Sequence, residues 1–149
     1  MNSSSDEEIE HILSDICSHP ATREMKRFIQ HGRISTYEHC RNVAELSYRM
    51  GKTLHLHVDR NTLLKGAMLH DLVFYDWHDG SHRLHGFTHA EEAAGNAERI
   101  FGVDKATRHV ISSHMWPLNL TQVPRSKEAW LVCCADKLAA IYETIFRRR

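Results

Sequence analysis

Leu69-His70-Asp71-Leu72 brings an imidazole and a carboxylate together at the end of an apolar run. The apolar residues leading into it, at 63, 64, 67, 68 and 72, share one face of a helix. Two adjacent polar groups in such surroundings are costly to bury unless something strong satisfies them. A metal ion does so, because imidazole nitrogen and carboxylate oxygen both ligate Fe, Mn, Co, Ni or Zn. Taken alone, the dipeptide is no more than a helix end. It gains meaning only if further ligands lie on faces that should be buried.

Three such residues stand out. His39 sits beside Cys40 and Val43, and His114 lies on the stripe of Val103, Ala106, Val110 and Ile111. Asp136 shares a face with Ala129, Val132, Cys133, Ala139 and Ala140. An unpaired carboxylate there would be strongly disfavoured. Lys137 is its neighbour in sequence, but adjacent side chains on a helix do not face each other. The economical account is one shared partner, a metal on which His39, His70, Asp71 and Asp136 converge.

The elements that must position these groups read as helices. Ser5 and Glu8 have capping-box spacing, and Ile9, Ile12, Leu13 and Ile16 follow as an apolar face. Pro20 separates this helix from a second, short one with Met25, Phe28 and Ile29 as its predicted buried stripe and Gly32 as its stop. Ser35-Thr36-Tyr37-Glu38 signals a third helix, with Cys40, Val43, Ala44, Ser47 and Met50 inside. Asn61 or Thr62 is the predicted cap of the helix that leads to His70-Asp71. Residues 76–86 read as a loop. Thr88 is the predicted cap of a helix burying Ala90, Ala93, Ala94, Ala97, Ile100 and Phe101, which Gly102 ends. The last helix starts at Ser126 or Lys127 and is apolar on most sides through Cys134, so it is expected to be the most buried. There is no strand alternation and no internal repeat. The expected fold class is all-α, as one domain over 1–149.

Bulk properties narrow the partners. Nineteen basic and nineteen acidic residues cancel, so bulk charge gives no reason to expect nucleic-acid or membrane binding. Arg147-Arg148-Arg149 reads as a solvated helix end that favours the helix dipole. No apolar run approaches the roughly 20 residues of a membrane span. The N-terminus is polar and acidic, unlike a signal peptide. The four cysteines, at 17, 40, 133 and 134, form no CxxC pair, and Cys40 and Cys133 are expected to be buried thiols. A reduced, cytoplasmic protein is expected. The thirteen histidines are spread from 11 to 114 and so are not a tag.

The order His39, His70-Asp71, Asp136 on helices resembles the HD-domain superfamily of metal-dependent phosphohydrolases. Ala67-Met68-Leu69-His70-Asp71 and Cys134-Ala135-Asp136-Lys137 are similar to the family's text around those ligands. The resemblance covers about residues 31–146, with the helices of 5–31 expected to pack on that core. It implies an HD-domain helical bundle of five or more helices with the metal site in its core. His89, in Phe87-Thr88-His89-Ala90, and His114, in Ser112-Ser113-His114, match by position the two extra ligands of two-metal members. Those members include the HD-GYP type and the bacterial diadenosine tetraphosphate hydrolases. His85 is the alternative to His89. The implied ligand set is His39, His70, Asp71, His89, His114 and Asp136, with Asp71 bridging. It suits two divalent ions among Fe, Mn, Co, Ni and Zn, with Mg admissible at one site. The sequence departs from the HD-GYP pattern, since Met115-Trp116-Pro117 follows His114 in place of Gly-Tyr-Pro. Ser35 stands one turn before His39, where a glutamate would serve a third metal. The chain is also similar to short bacterial HD phosphohydrolases with a Tyr-Asp-Trp-His loop, here Tyr75-Asp76-Trp77-His78.

The resemblance implies a mechanism. Two ions about 3.5–4 Å apart lower the pKa of a water between them and clamp a phosphate oxygen. The resulting hydroxide attacks phosphorus in line, with no protein nucleophile, and the metals and nearby cations stabilise the developing charge. Asp71 and His70 are then catalytic as well as ligating. The loop 76–86 is the expected lid, with His78, His82, Arg83 and His85 as phosphate contacts. Arg125 and Lys137 could bind phosphate or be solvated surface, and Trp77 and Trp116 could stack a base. The expected partner is a small phosphorylated molecule, a nucleotide first, with dinucleoside polyphosphate hydrolysis as the first specific expectation and nucleotidase or phosphodiesterase activity next. A non-catalytic HD sensor or interaction module and a di-iron oxygenase are the other classes this ligand set admits. A homodimer is compatible with the sequence.

Overall fold

Asp59 starts the helix on which the rest packs. In the computed structural model, which describes residues 3–74 and 85–146, its Oδ1 accepts from the Thr62 N–H at 3.0 Å and caps α4 (Arg60–Leu69). The expectation of Asn61 or Thr62 as the cap is corrected to Asp59, two or three residues earlier, because the capping oxygen must precede the orphan N–H groups it satisfies. Leu63, Leu64, Ala67, Met68 and Leu69 are all buried, on every side of α4. Five helices surround it: α1 (Ser3–Ser18), α3 (Thr36–Thr53), α5 (His85–Phe101), α6 (Lys105–Ser112) and α7 (Lys127–Phe146). Apart from Arg60, Asn61 and Lys65 its residues are buried, as befits a helix in the middle.

That place was expected for α7, and the structure divides α7 in two. Its first half buries Ala129, Leu131, Val132, Cys133 and Ala135. Its second half leaves Leu138, Ile141, Tyr142, Ile145 and Phe146 51–68% exposed. Among the described residues no helix is long and apolar enough to cross a membrane.

The fold is helical as expected, with one addition. The second short helix is α2 (Pro20–Glu24) followed by a 3-10 turn at Met25–Arg27, and it stops there. Ile29 then opens a strand, β1 (Ile29–His31), which pairs antiparallel with β2 (Ile34–Ser35). Ile29 is 45% exposed and does not join a buried stripe. Gly32, at φ 57°, makes the reversal that an L side chain would resist. Ser35 ends β2 and caps α3 at once, its Oγ accepting from the Glu38 N–H. β1 packs on α3 and α7.

α5 also begins earlier than expected, at His85 rather than after Thr88. Gly86 in a first turn costs only about 1 kcal/mol of helix propensity. The packing of Ala90, Ala93, Ala94 and Ala97, all buried, outweighs that. His70 and His114 lie just past the ends of α4 and α6, and His39 lies in the first turn of α3.

α4 and α6 approach closely at Gly66, where an added Cβ would meet Val110 Cγ1 at 2.5 Å and its Cβ at 2.8 Å. Gly66→Ala should therefore destabilise the protein by about 1–2 kcal/mol, since overpacking outweighs the gain in helix propensity. Thermal unfolding measures this. In a double-mutant cycle Gly66→Ala with Val110→Ala should cost less than the sum of the two single changes. An unchanged or raised Tm for Gly66→Ala would contradict the close packing.

Candidate metal centre

Two of the histidines are aimed by the same local device. The last carbonyls of a helix have no partner within it. The His70 Nδ1–H donates to the Ala67 carbonyl at 2.6 Å, three residues back at the end of α4. The His114 Nδ1–H donates to the Ile111 carbonyl at 2.7 Å, again three residues back, at the end of α6. A carbonyl only accepts, so both rings carry a proton on Nδ1 and turn Nε2 inward. His39 is held from farther away: its Nδ1–H donates to Glu143 Oε2 on α7 at 2.7 Å. Asn42 Nδ2 donates to the other Glu143 oxygen at 3.2 Å, so the Glu143 carboxylate is itself fixed.

The inward atoms form two groups. In one, Asp136 Oδ1 lies 2.8 Å from His39 Nε2 and 3.2 Å from His70 Nε2. Asp71 Oδ2 lies 3.2 Å from His70 Nε2 and 3.7 Å from His39 Nε2. In the other, Asp71 Oδ1 lies 3.1 Å from His89 Nε2 and 3.4 Å from His114 Nε2. The two imidazole nitrogens are 3.0 Å apart. Within each group the ligand atoms all lie within 4.8 Å of one another, and Asp71 belongs to both. His39, His70 and His114 are fully buried, and the Asp136 side chain retains 14% of its exposure.

Charge is what this cluster demands. Burial opposes a charged His39, but Asp136 and Glu143 on its two ring nitrogens outweigh it, and its pKa is pushed up to about 10. His70 is likewise raised well above the usual histidine range, against its burial, chiefly by Asp71. Burial would raise Asp71 and Asp136, yet the facing histidines hold both well below the usual carboxylate range. His114 is pushed down by burial. Both carboxylates thus stay ionised although buried, and require positive charge opposite them. Asp71 Oδ1 is buried without a hydrogen-bond donor, and the His89 and His114 nitrogens crowd beside it. Nitrogen and carboxylate oxygen donors converging in this way fit two divalent transition-metal ions.

The structure therefore brings together all six expected ligands: His39, His70, Asp71, His89, His114 and Asp136. His89 is the histidine in the cluster. His85 opens α5, contrary to the expectation that it precedes the helix, and its side chain lies outside the described residues. Trp77, His78, His82 and Arg83 also lie outside them. Lys137 Nζ donates to the His114 carbonyl at 2.9 Å, next to a ligand. Trp116 meets Trp130 edge-on, and Arg125 is exposed, with its backbone N–H donating to His109 on α6.

Three residues in contact with the cluster were not anticipated. Glu143 could have been found, since it lies seven residues after Asp136 on the same face of α7. Asn42 follows His39 by three on α3, on the same side. Gln30 donates to Asp71 Oδ2 at 3.0 Å and left no signal, because a three-residue strand has no periodicity to read.

The chain matches no curated protein and no solved structure. The model of the HD domain matches residues 36–141, from the first residue of α3 into the second half of α7. That span carries all six buried ligands in the expected order. The chain belongs to the HD-domain family of metal-dependent phosphohydrolases.

Proposed function

We propose that the protein cleaves a phosphate ester or anhydride of a small molecule, with a nucleotide as the substrate class and a dinucleoside polyphosphate as the first specific candidate. The observation that carries the reaction class is the division of one carboxylate between two ligand groups. Asp71 Oδ2 faces His39 and His70, while Oδ1 faces His89 and His114. Divalent ions held there acidify water and polarise phosphate oxygens. The chain's part is orientation. Asp71 holds the two groups in register, and His39, His70 and His114 present Nε2 because acceptors fix their Nδ1–H. We assign catalysis to Asp71 and His70 in this sense. Lys137 places an ammonium beside the His114 backbone and is assigned to phosphate binding. Burial pushes the Cys133 thiol up despite Lys137 Nζ 3.2 Å from its sulfur. The nucleotide class rests on the likeness of the six-ligand set to two-metal family members that act on nucleotides.

A second copy of the chain is the proposed partner for α7. Cys134, Leu138, Ile141 and Ile145 are all exposed at 4-3-4 spacing, the seam along which helices pair. Tyr142 and Phe146, 55% and 68% exposed, widen the seam.

Metal content and phosphate release test the first proposal. Protein without a histidine tag, reconstituted with Mn, Co, Ni or Fe, should bind two ions per chain. His89→Ala should retain one, because it leaves the His39, His70, Asp71 and Asp136 group whole. Asp71→Ala should release phosphate from a nucleotide panel at least about 100-fold more slowly. Equal turnover by Asp71→Ala would sink the mechanism, and failure to bind metal under any reconstitution would turn the reading toward an interaction module.

Light scattering tests the second proposal. The wild type should have twice the mass of one chain, and Ile141→Lys should halve it. A monomeric wild type would exclude the pairing.

A further inference from the structure

The hairpin sends one side chain to the centre. Gln30, on β1, is 9% exposed, and its Nε2 donates to Asp71 Oδ2 at 3.0 Å. The amide can face only one way. An ionised carboxylate accepts and never donates, so the NH₂ end must meet Asp71 and Oε1 must turn away. There Oε1 lies 3.3 Å from the Thr36 hydroxyl, which also lies 3.4 Å from the Phe28 carbonyl. The Thr36 N–H donates to the same carbonyl at 2.8 Å. Thr36 is the first residue of α3, three before His39. The hairpin that carries Gln30 is thus anchored to the helix that carries a ligand.

Asp71 needs such a hold. It stands beyond the end of α4, and the torsion that turns a carboxylate about its own axis is soft and roughly two-fold. A freely turning carboxylate could present both oxygens to one group and leave the other without its shared ligand. A donor fixed on Oδ2 removes that freedom. A neutral amide does so without adding charge, whereas a lysine or arginine would compete with cations for Asp71.

We propose that Gln30 is a positioning residue that fixes the plane of the Asp71 carboxylate, keeping Oδ2 toward His39, His70 and Asp136 and Oδ1 toward His89 and His114. The inference rests on the two-ion reading of Asp71 and extends it to a residue outside the matched 36–141 span.

The test uses the full chain and Mn²⁺ alone. Binding is followed by calorimetry, and magnetic coupling between neighbouring Mn²⁺ ions by electron paramagnetic resonance. Gln30→Ala and the bulkier Gln30→Leu should keep the metal-free Tm close to that of the wild type. Both should weaken the binding of one ion by about 10–100-fold. The coupled signal of the pair should fade while a single-ion signal remains. Thr36→Val, which frees the amide without removing it, should give a smaller loss of the same kind. A wild type that binds two coupled ions, with both Gln30 variants unchanged in affinity and coupling, would overturn the role of Gln30 alone. A wild type that binds a single ion would overturn the two-ion reading and this inference with it. A metal-free Tm that falls in step with affinity, in both Gln30 variants and in Thr36→Val, would show that the hairpin is merely structural.

Discussion

The structure depends on keeping a buried Asp71 ionised. Its side chain is 5% exposed, and the cost of burying a bare carboxylate there would exceed the stability of a typical domain. The fold meets that cost by surrounding it with imidazoles from α3, the end of α4, α5 and the end of α6. No single helix could do this, because side chains on one helix diverge from its axis. The enclosed position of α4 follows from the same constraint, since Asp71 must emerge where the neighbouring helices converge.

Aiming the imidazoles uses groups that helices leave over. His70 and His114 each take a carbonyl three residues back, so a helix end that needed a donor becomes a ligand mount. His39 is at a helix start, where no orphan carbonyl exists, and it needs Glu143 from another helix. That difference explains why α7 must carry two carboxylates on one face. Asp136 meets the inner nitrogen of His39 and Glu143 the outer one, which ties α7 to α3 through two residues about two turns apart.

The parts legible in the sequence are those whose burial contradicts their chemistry. A histidine or aspartate on an apolar stripe is an anomaly that spacing alone exposes, and His39, His114 and Asp136 were found in that way. Helix starts with a side-chain oxygen were also readable at Ser35, though at α4 the cap fell to Asp59 because several polar residues competed for the role. Other features depend on what covers a surface, and a single sequence does not record that. The apolar end of α7 looks the same whether enclosed or exposed. The hairpin of 29–35 is too short for its alternation to register, and its place is set by packing against α3 and α7. Gln30 is illegible for that reason, whereas the seven-residue spacing of Glu143 from Asp136 is readable.

The HD-domain match ends short of both residues that orient its ligands from outside. Gln30 lies before it and Glu143 after it. The matched span carries the donors themselves, so it determines that metal can be held and which reaction class follows. The flanks act on donor geometry and basicity. Glu143 places negative charge on the far nitrogen of His39, which makes the near nitrogen a stronger donor, while Gln30 draws density from Asp71 Oδ2 and makes it a weaker one. Both effects fall on the same group of four ligands and oppose each other. Glu143 acts on that group alone, whereas Gln30 acts on the carboxylate both groups share. The two halves of the centre are therefore chemically unequal even though they share Asp71, and the inequality comes from short segments at either side of a common domain.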